Sequence, residues 1–388
     1  MKKYNNFLLN DFLLIFAVLF LLFSIEIFLR LLPNEILGNL FTIFKNRNMY
    51  QNDSELGYKL KPNLKTFYGG HLLITNSKGL RDREFYFDKK PDLRILALGD
   101  SFTFGEGVEA EGTYPKMMEW ILQKKYPKEN IAVVNCGVSG YGNDQELNFL
   151  KREGVYYKPD LVILGLYMGN DFLDNEIGGV KRKRVKENGF LYDVYIEKDI
   201  HDSLKDKKLE ILLFDFDRYL KRKSLAYFLI KKKFDYLLWK LGLNENYDGY
   251  KMLDKENFHY FRKDLTERDM RGFDLTFNLI KGINRNAEKL GSKFLVILIP
   301  AGFQIYEDVF DGLIKACNLN KKDYSMERLD FLLQERLVKE GMPVLNLLPI
   351  LKENKEKELY AFGHWTPITH RIAAEEIDKF IENTKLIF

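Results

Sequence analysis

Short, largely apolar runs alternate with amphipathic stretches from Leu93 onward. Leu93–Leu98, Ile131–Asn135, Leu161–Tyr167 and Lys293–Ile299 lack the polar alternation of a half-exposed strand. Runs of that kind read as strands covered on both faces. Tyr114–Lys125, Gln145–Glu153, Arg268–Leu290 and Glu327–Glu340 lie between or after them and read as helices. Pro343–Leu348 reads as a fifth strand, and Pro367–Asn383 as a closing helix. Strands spaced by helices predict an α/β fold with a parallel sheet sandwiched by helices.

Polar residues stand where these runs end. The first strand breaks at Gly99-Asp100-Ser101, and the second runs into the glycine-bearing loop Cys136-Gly-Val-Ser-Gly140. The third ends in Gly169-Asn170-Asp171, and His364 stands just before the closing helix. Open α/β sheets bind ligands beyond the carboxyl ends of their strands, so these positions are candidates for a site. Each also has a plain structural reading. Ser101 suits a helix N-cap, Asn170 and Asp171 suit a turn, and Gly137, Gly140 and Gly142 suit a bending loop. His364 and His370 suit a surface. The chain holds five histidines, His71, His201, His259, His364 and His370. Their scarcity weighs against a chance match in the right block.

In that order, serine, glycine, asparagine and histidine resemble the four blocks of the SGNH (GDSL-type) hydrolases, over roughly Asp92 to Ile381. The resemblance implies a flavodoxin-like sheet of strand order 2-1-3-4-5. It also implies Ser101 as nucleophile and His364 as base. The Ser101 N–H, the Gly140 N–H and the Asn170 side chain become oxyanion donors, with Gly140 favoured over Gly137 because Ser139-Gly140 fits the block. Serine is a weak nucleophile until a neighbouring base takes its proton, and imidazole does so near neutral pH. The tetrahedral oxyanion then needs fixed donors.

One expected piece is absent. The family places an aspartate two or three residues before the histidine, where this chain has Phe362 and Ala361. Three readings stay open: a main-chain carbonyl or a displaced acid such as Glu358 holds His364, the protein works as a slow Ser–His dyad, or it is catalytically dead.

The chain's start bears on location. Residues 1–11 form a short stub with Lys2 and Lys3, and Phe12–Leu32 is an apolar run of membrane-spanning length,. The lysines favour a cytoplasmic N-terminus and an exported remainder. No small-residue cleavage site follows, so a signal anchor is expected over a cleaved signal peptide. Residues 33–92 read as a linker or approach segment, containing Tyr58-Lys-Leu-Lys-Pro62 and Asn76-Ser-Lys-Gly-Leu-Arg-Asp82. The latter also resembles the lead-in of membrane-anchored bacterial members of the family. Residues 93–388 read as the hydrolase-like domain, interrupted at about 174–267.

That insertion carries the basic runs Lys181–Arg184, Lys221–Lys223 and Lys231–Lys233 among aromatic residues. Ser224–Leu243 reads as an amphipathic helix. The charges suit an ordinary solvated face, or a patch against anionic lipid or glycan. Attachment after the asparagine block suggests a cover over the sheet edge.

Composition excludes several classes. The chain has 388 residues, 46% of them hydrophobic, enough to bury a full core,. A net charge of +4 is too small to argue for nucleic acid. There is no zinc spacing and no phosphate loop, so neither metal nor cofactor is expected. Cys136 and Cys317 allow one bridge, although Cys136 better suits a small buried residue. The resulting expectation is an extracytoplasmic serine esterase acting on small acyl esters, such as O-acetyl groups on envelope carbohydrate. An O-acyltransferase and a non-catalytic glycan-binding protein on the same fold are the alternatives.

Overall fold

Five of the apolar runs form a parallel sheet. The structure, a computed structural model, describes residues 49–68, 71–85, 90–178, 258–361 and 363–387. It also describes 13, 16–17, 20–29, 31, 184–187, 190–193 and scattered positions from 209 to 234. In chain order the strands are β1 (Tyr50–Asp53), β2 (Gly57–Leu60), β3 (Lys65–Tyr68), β4 (His71–Ile74), β5 (Leu93–Gly99), β6 (Ile131–Asn135) and β7 (Leu161–Tyr167). There follow β8 (Arg184–Glu187), β9 (Phe190–Asp193), β10 (Lys293–Ile299), β11 (Val344–Asn346), β12 (Tyr360–Ala361) and β13 (His364–Trp365). The large sheet runs β11-β10-β7-β5-β6, and every neighbouring pair in it is parallel. Counting only these five strands, the order is 2-1-3-4-5, as expected.

Helices cover both faces. Tyr114–Lys125 and Pro367–Thr384 pack together on one side, where Met118, Leu122, Ala373, Ala374 and Ile377 meet Ile95, Val133 and Ile163. Asn143–Tyr157 and Glu267–Lys289 pack together on the other. Glu267–Lys289 turns Phe273, Phe277, Ile280 and Ile283 inward at helical spacing,.

The chain divides into two compact units, Met49–Arg184 with Tyr250–Phe388, and Met1–Asn48 with Val185–Gly249. The first holds the sheet and also two hairpins, β1–β2 and β3–β4. These lie in the stretch expected to be a linker, and contacts along that stretch bind it to the core. Tyr58 Oη donates to the Ser139 carbonyl at 3.0 Å, and Gln145 Nε2 donates to the Leu56 carbonyl at 2.6 Å. Lys116 pairs with the buried Asp82 at 3.0 Å.

In the second unit residues 20–29 are helical. Glu26 Oε2 accepts from Ser224 Oγ at 3.0 Å and from the Ala226 N–H at 2.9 Å. Among the described residues no helix is long and apolar enough to cross a membrane. Seven of the 21 positions of the expected span 12–32, the whole of 1–11, and most of the basic runs and of Ser224–Leu243 lie outside the described residues. Cys136 is a buried free thiol and forms no bridge to Cys317.

Candidate active site

The serine arrives on a fully buried strand. β5 ends at Gly99, and the helical turn Ser101–Phe104 begins at once. Asp100, rather than Ser101, caps this turn: its carboxylate accepts from the Phe102 N–H at 2.9 Å. Gly105 closes the turn in the left-handed region, its N–H donating to the Ser101 carbonyl at 2.9 Å. The buried Arg81 guanidinium donates to the carbonyls of Phe104 (3.0 Å), Gly105 (2.6 Å) and Val108 (2.6 Å). These bonds satisfy the orphan acceptors that a short turn leaves behind.

The loop after β6 lies against this turn. The Val138 N–H donates to the Gly99 carbonyl at 3.1 Å. A Cβ on Gly137 would stand 2.2 Å from the Phe104 nitrogen, so only glycine fits there,. Gly140 turns with φ +77. The two glycines thus divide the work, Gly137 allowing close packing and Gly140 the bend.

Asn170 begins the helix Asp171–Ile177 at the end of β7, and its Nδ2 donates to Asp174 Oδ2 at 3.0 Å. That uses one of the two amide hydrogens. Beneath it lie the buried carboxyl groups of Asp100, Glu146, Asp171 and Asp174. Burial, together with the charge of Asp174 and Glu106, pushes Asp100 up to about 7. Glu146 and Asp171 are pushed well above the usual carboxylate range by burial first and by Asp100 next among the neighbouring charges. Like charges crowded into a dry interior cannot all ionise at once.

His364 comes from the far end of the chain. In the hairpin β12–β13, Ala361 pairs with His364 and Tyr360 with Trp365. Thr366 ties the hairpin back, its N–H donating to the Leu359 carbonyl at 3.0 Å and its hydroxyl to the Glu358 carbonyl at 2.6 Å. The His364 ring lies 5.3 Å from the Phe102 ring, centroid to centroid, and Trp365 meets Phe102 edge-on at 5.4 Å. His364 Nε2 stands 3.0 Å from Ser101 Oγ.

The structure therefore brings together Ser101 and His364, residues 263 positions apart in the chain. Gly140 and Asn170 lie on the loops after the strands flanking β5. His370 is not a surface residue: it is buried, and its Nδ1 accepts from the Tyr114 N–H at 3.2 Å. Glu358 is exposed and engages through its backbone carbonyl, not as an acid on His364. Phe362 lies outside the described residues.

Three contributors escaped the sequence reading. Glu106 Oε2 lies 3.5 Å from His364 Nε2. Tyr68, on β3, donates its hydroxyl to the other oxygen of Glu106. Arg81 is the third. The pattern Gly105-Glu-Gly107, with both glycines at positive φ, was the available signal for a turn leading back toward the serine. Among the described residues no group of histidine, cysteine and carboxylate side chains could hold a metal ion.

No protein-family model and no curated protein matches the chain. Solved structures that match it are GDSL-type hydrolases. An acetylxylan esterase from Geobacillus stearothermophilus matches at 13% identity and TM-score 0.40, covering 75% of this chain and 95% of that one. A lipolytic protein of the G-D-S-L family from Desulfitobacterium hafniense matches at 12% identity and TM-score 0.36, covering 74% and 99%. TesA matches at 12% identity and TM-score 0.36, covering 76% and 99%. Likeness at that level decides neither family membership nor chemistry.

Proposed function

We propose that this chain is an SGNH-type ester hydrolase with Ser101 as nucleophile and His364 as general base. The 3.0 Å contact between Ser101 Oγ and His364 Nε2 at the carboxyl edge of the sheet carries the reading. Ser101 Oγ attacks the ester carbonyl carbon as its proton passes to His364 Nε2. The carbonyl π pair moves onto oxygen, which faces the Ser101 N–H, the Gly140 N–H and the second amide hydrogen of Asn170. His364 returns the proton to the departing alcohol, leaving an acyl-Ser101. Water repeats the cycle and frees the acid.

Small acyl esters on carbohydrate are the substrates we favour. Acetylated xylo-oligosaccharide, the type of substrate named for one of the matching structures, is a practical first choice. In this reading the hydrolase domain faces the periplasm or the exterior, tethered through 12–32. That location rests on the apolar run and on Lys2 and Lys3,.

The test is turnover of a p-nitrophenyl ester and acetate release from the oligosaccharide by the full-length protein. Ser101→Ala and His364→Ala are each expected to lower the rate by about 10⁴-fold or more. Acetate appearing on an added sugar acceptor would identify a transferase. Retention of the glycan with no turnover would identify a binding protein.

A further inference from the structure

We infer that Glu106 replaces the absent aspartate as the carboxylate supporting His364, and that Tyr68 holds it in place. The inference deepens the hydrolase reading and rests on it. Glu106 is placed by the nucleophile turn itself, since its N–H donates to the Ser101 carbonyl at 3.1 Å. Its chain returns over that turn, so Oε2 stands 3.5 Å from His364 Nε2. Ser101 Oγ approaches the same nitrogen at 3.0 Å.

Two further contacts hold the carboxylate still. Tyr68 Oη donates to Oε1, and its ring meets Phe104 edge-on at 5.6 Å. Burial, and then the charge of Glu106, pushes the Tyr68 hydroxyl well above its ordinary range, so it remains a donor. Arg81 binds the carbonyls of Gly105 and Val108, on either side of Glu106. Among the described residues no other carboxylate lies as near the imidazole. Asp100 reaches only Ser101 Oγ, at 3.5 Å, with its principal bond to the Phe102 N–H.

The geometry differs from a triad, because the acid faces Nε2 rather than Nδ1. It acts on charge. Before attack the imidazole is neutral and gains little from the carboxylate. Once the Ser101 proton has moved to Nε2, an imidazolium faces a carboxylate across a half-buried gap. The attraction is therefore strongest after proton transfer, which is what accelerates a step. The proton then goes to the leaving oxygen and not to Glu106. Glu106 is a positioning residue in this scheme.

The test compares Glu106→Gln, Glu106→Asp, Glu106→Ala and Tyr68→Phe in the full-length protein, with Ser101→Ala beside them. Glu106→Gln keeps the acceptor for Tyr68 and loses only the charge. It is expected to lower kcat by about 10²-fold while KM stays within about twofold. Its Tm should stay within about 2 °C of wild type. Glu106→Asp should retain part of the rate, and added formate should restore part of the rate of Glu106→Ala. Tyr68→Phe should lose about tenfold in kcat. Wild-type kcat in Glu106→Gln, with Ser101→Ala inactive, would overturn the inference and leave the hydrolase reading standing. Loss of rate together with Tm and without formate rescue would make Glu106 structural and also overturn it. A wild type that turns over no ester would overturn both.

Discussion

Ser101 is held from beneath by backbone, whereas His364 is held from the side by rings. The serine stands at the end of a strand buried along its whole length. Asp100, Gly137 and Arg81 pin the turn that follows it. The histidine stands on a two-residue strand in a small hairpin, steadied by Phe102 and by the Thr366 ties. The difference separates two kinds of positional control. A backbone-built turn has nowhere to move, so errors there appear as lost stability. A ring-packed hairpin can shift slightly while the protein stays folded, so errors there appear as lost rate.

Gly137→Ala should break the serine side most severely. Its Cβ would press on the Phe104 nitrogen and the Thr103 carbonyl carbon, 2.2 and 2.6 Å away, which are backbone atoms that cannot rotate aside. A loss of about 3–5 kcal/mol is expected in urea unfolding. Asn170→Ala should cost about 1–2 kcal/mol of stability, through the lost bond to the buried Asp174,, yet lower kcat by about 10²–10³-fold, which steady-state ester kinetics would show.

His370 offers a contrast within the histidine region. Burial first, and then the charge of Arg81, pushes it down to about 3, so it is neutral in the folded protein at neutral pH. A depressed histidine contributes stability that is present above its unfolded pKa, near 6.5, and lost as pH falls toward the folded value. Between pH 7 and pH 5 this residue should cost about 2 kcal/mol. His370→Gln should flatten that part of the pH–stability curve, read by denaturant unfolding at each pH. The smallest effect is expected from Phe102→Leu. Leucine cannot reproduce the 4.1 Å stack on Tyr167 or the support under His364. It should lower kcat by about tenfold and stability by about 1 kcal/mol.

The same contrast explains what the sequence disclosed. β5, β6, β7 and β10 were legible because short, nearly continuous apolar runs have few other uses than a strand covered on both faces,. The ends of Tyr114–Lys125 also matched. The helix read as Gln145–Glu153 extends over Asn143–Tyr157, because Gly142 starts it earlier and Lys158 closes it in the left-handed region. Strand β11 is shorter than read, since Leu347 and Leu348 turn into the next helix.

The hairpins at 50–60 and 65–74 were not legible. Their strands carry mixed patterns such as Tyr-Gln-Asn-Asp and Lys-Thr-Phe-Tyr, and their pairing depends on contacts with loops far along the chain. Ser101, Gly140, Asn170 and His364 stood out in the sequence because each falls near the end or start of an element, and the fold brings Ser101 and His364 into contact. Glu106 and Tyr68 were missed because their pairing spans 38 residues and leaves no local pattern. Nor did Glu358 signal its own exposure, which only the folded hairpin determines.

The central claim is that Ser101 is an activated nucleophile, and covalent labelling tests it most directly. Full-length wild type and His364→Ala would each be treated with a fluorophosphonate, and the adduct located by peptide mass spectrometry. The account predicts one adduct, on Ser101, forming rapidly in wild type and at least about 10³-fold more slowly in His364→Ala. Labelling of Ser101 at equal rates in both proteins, or none in a folded wild type, would contradict it.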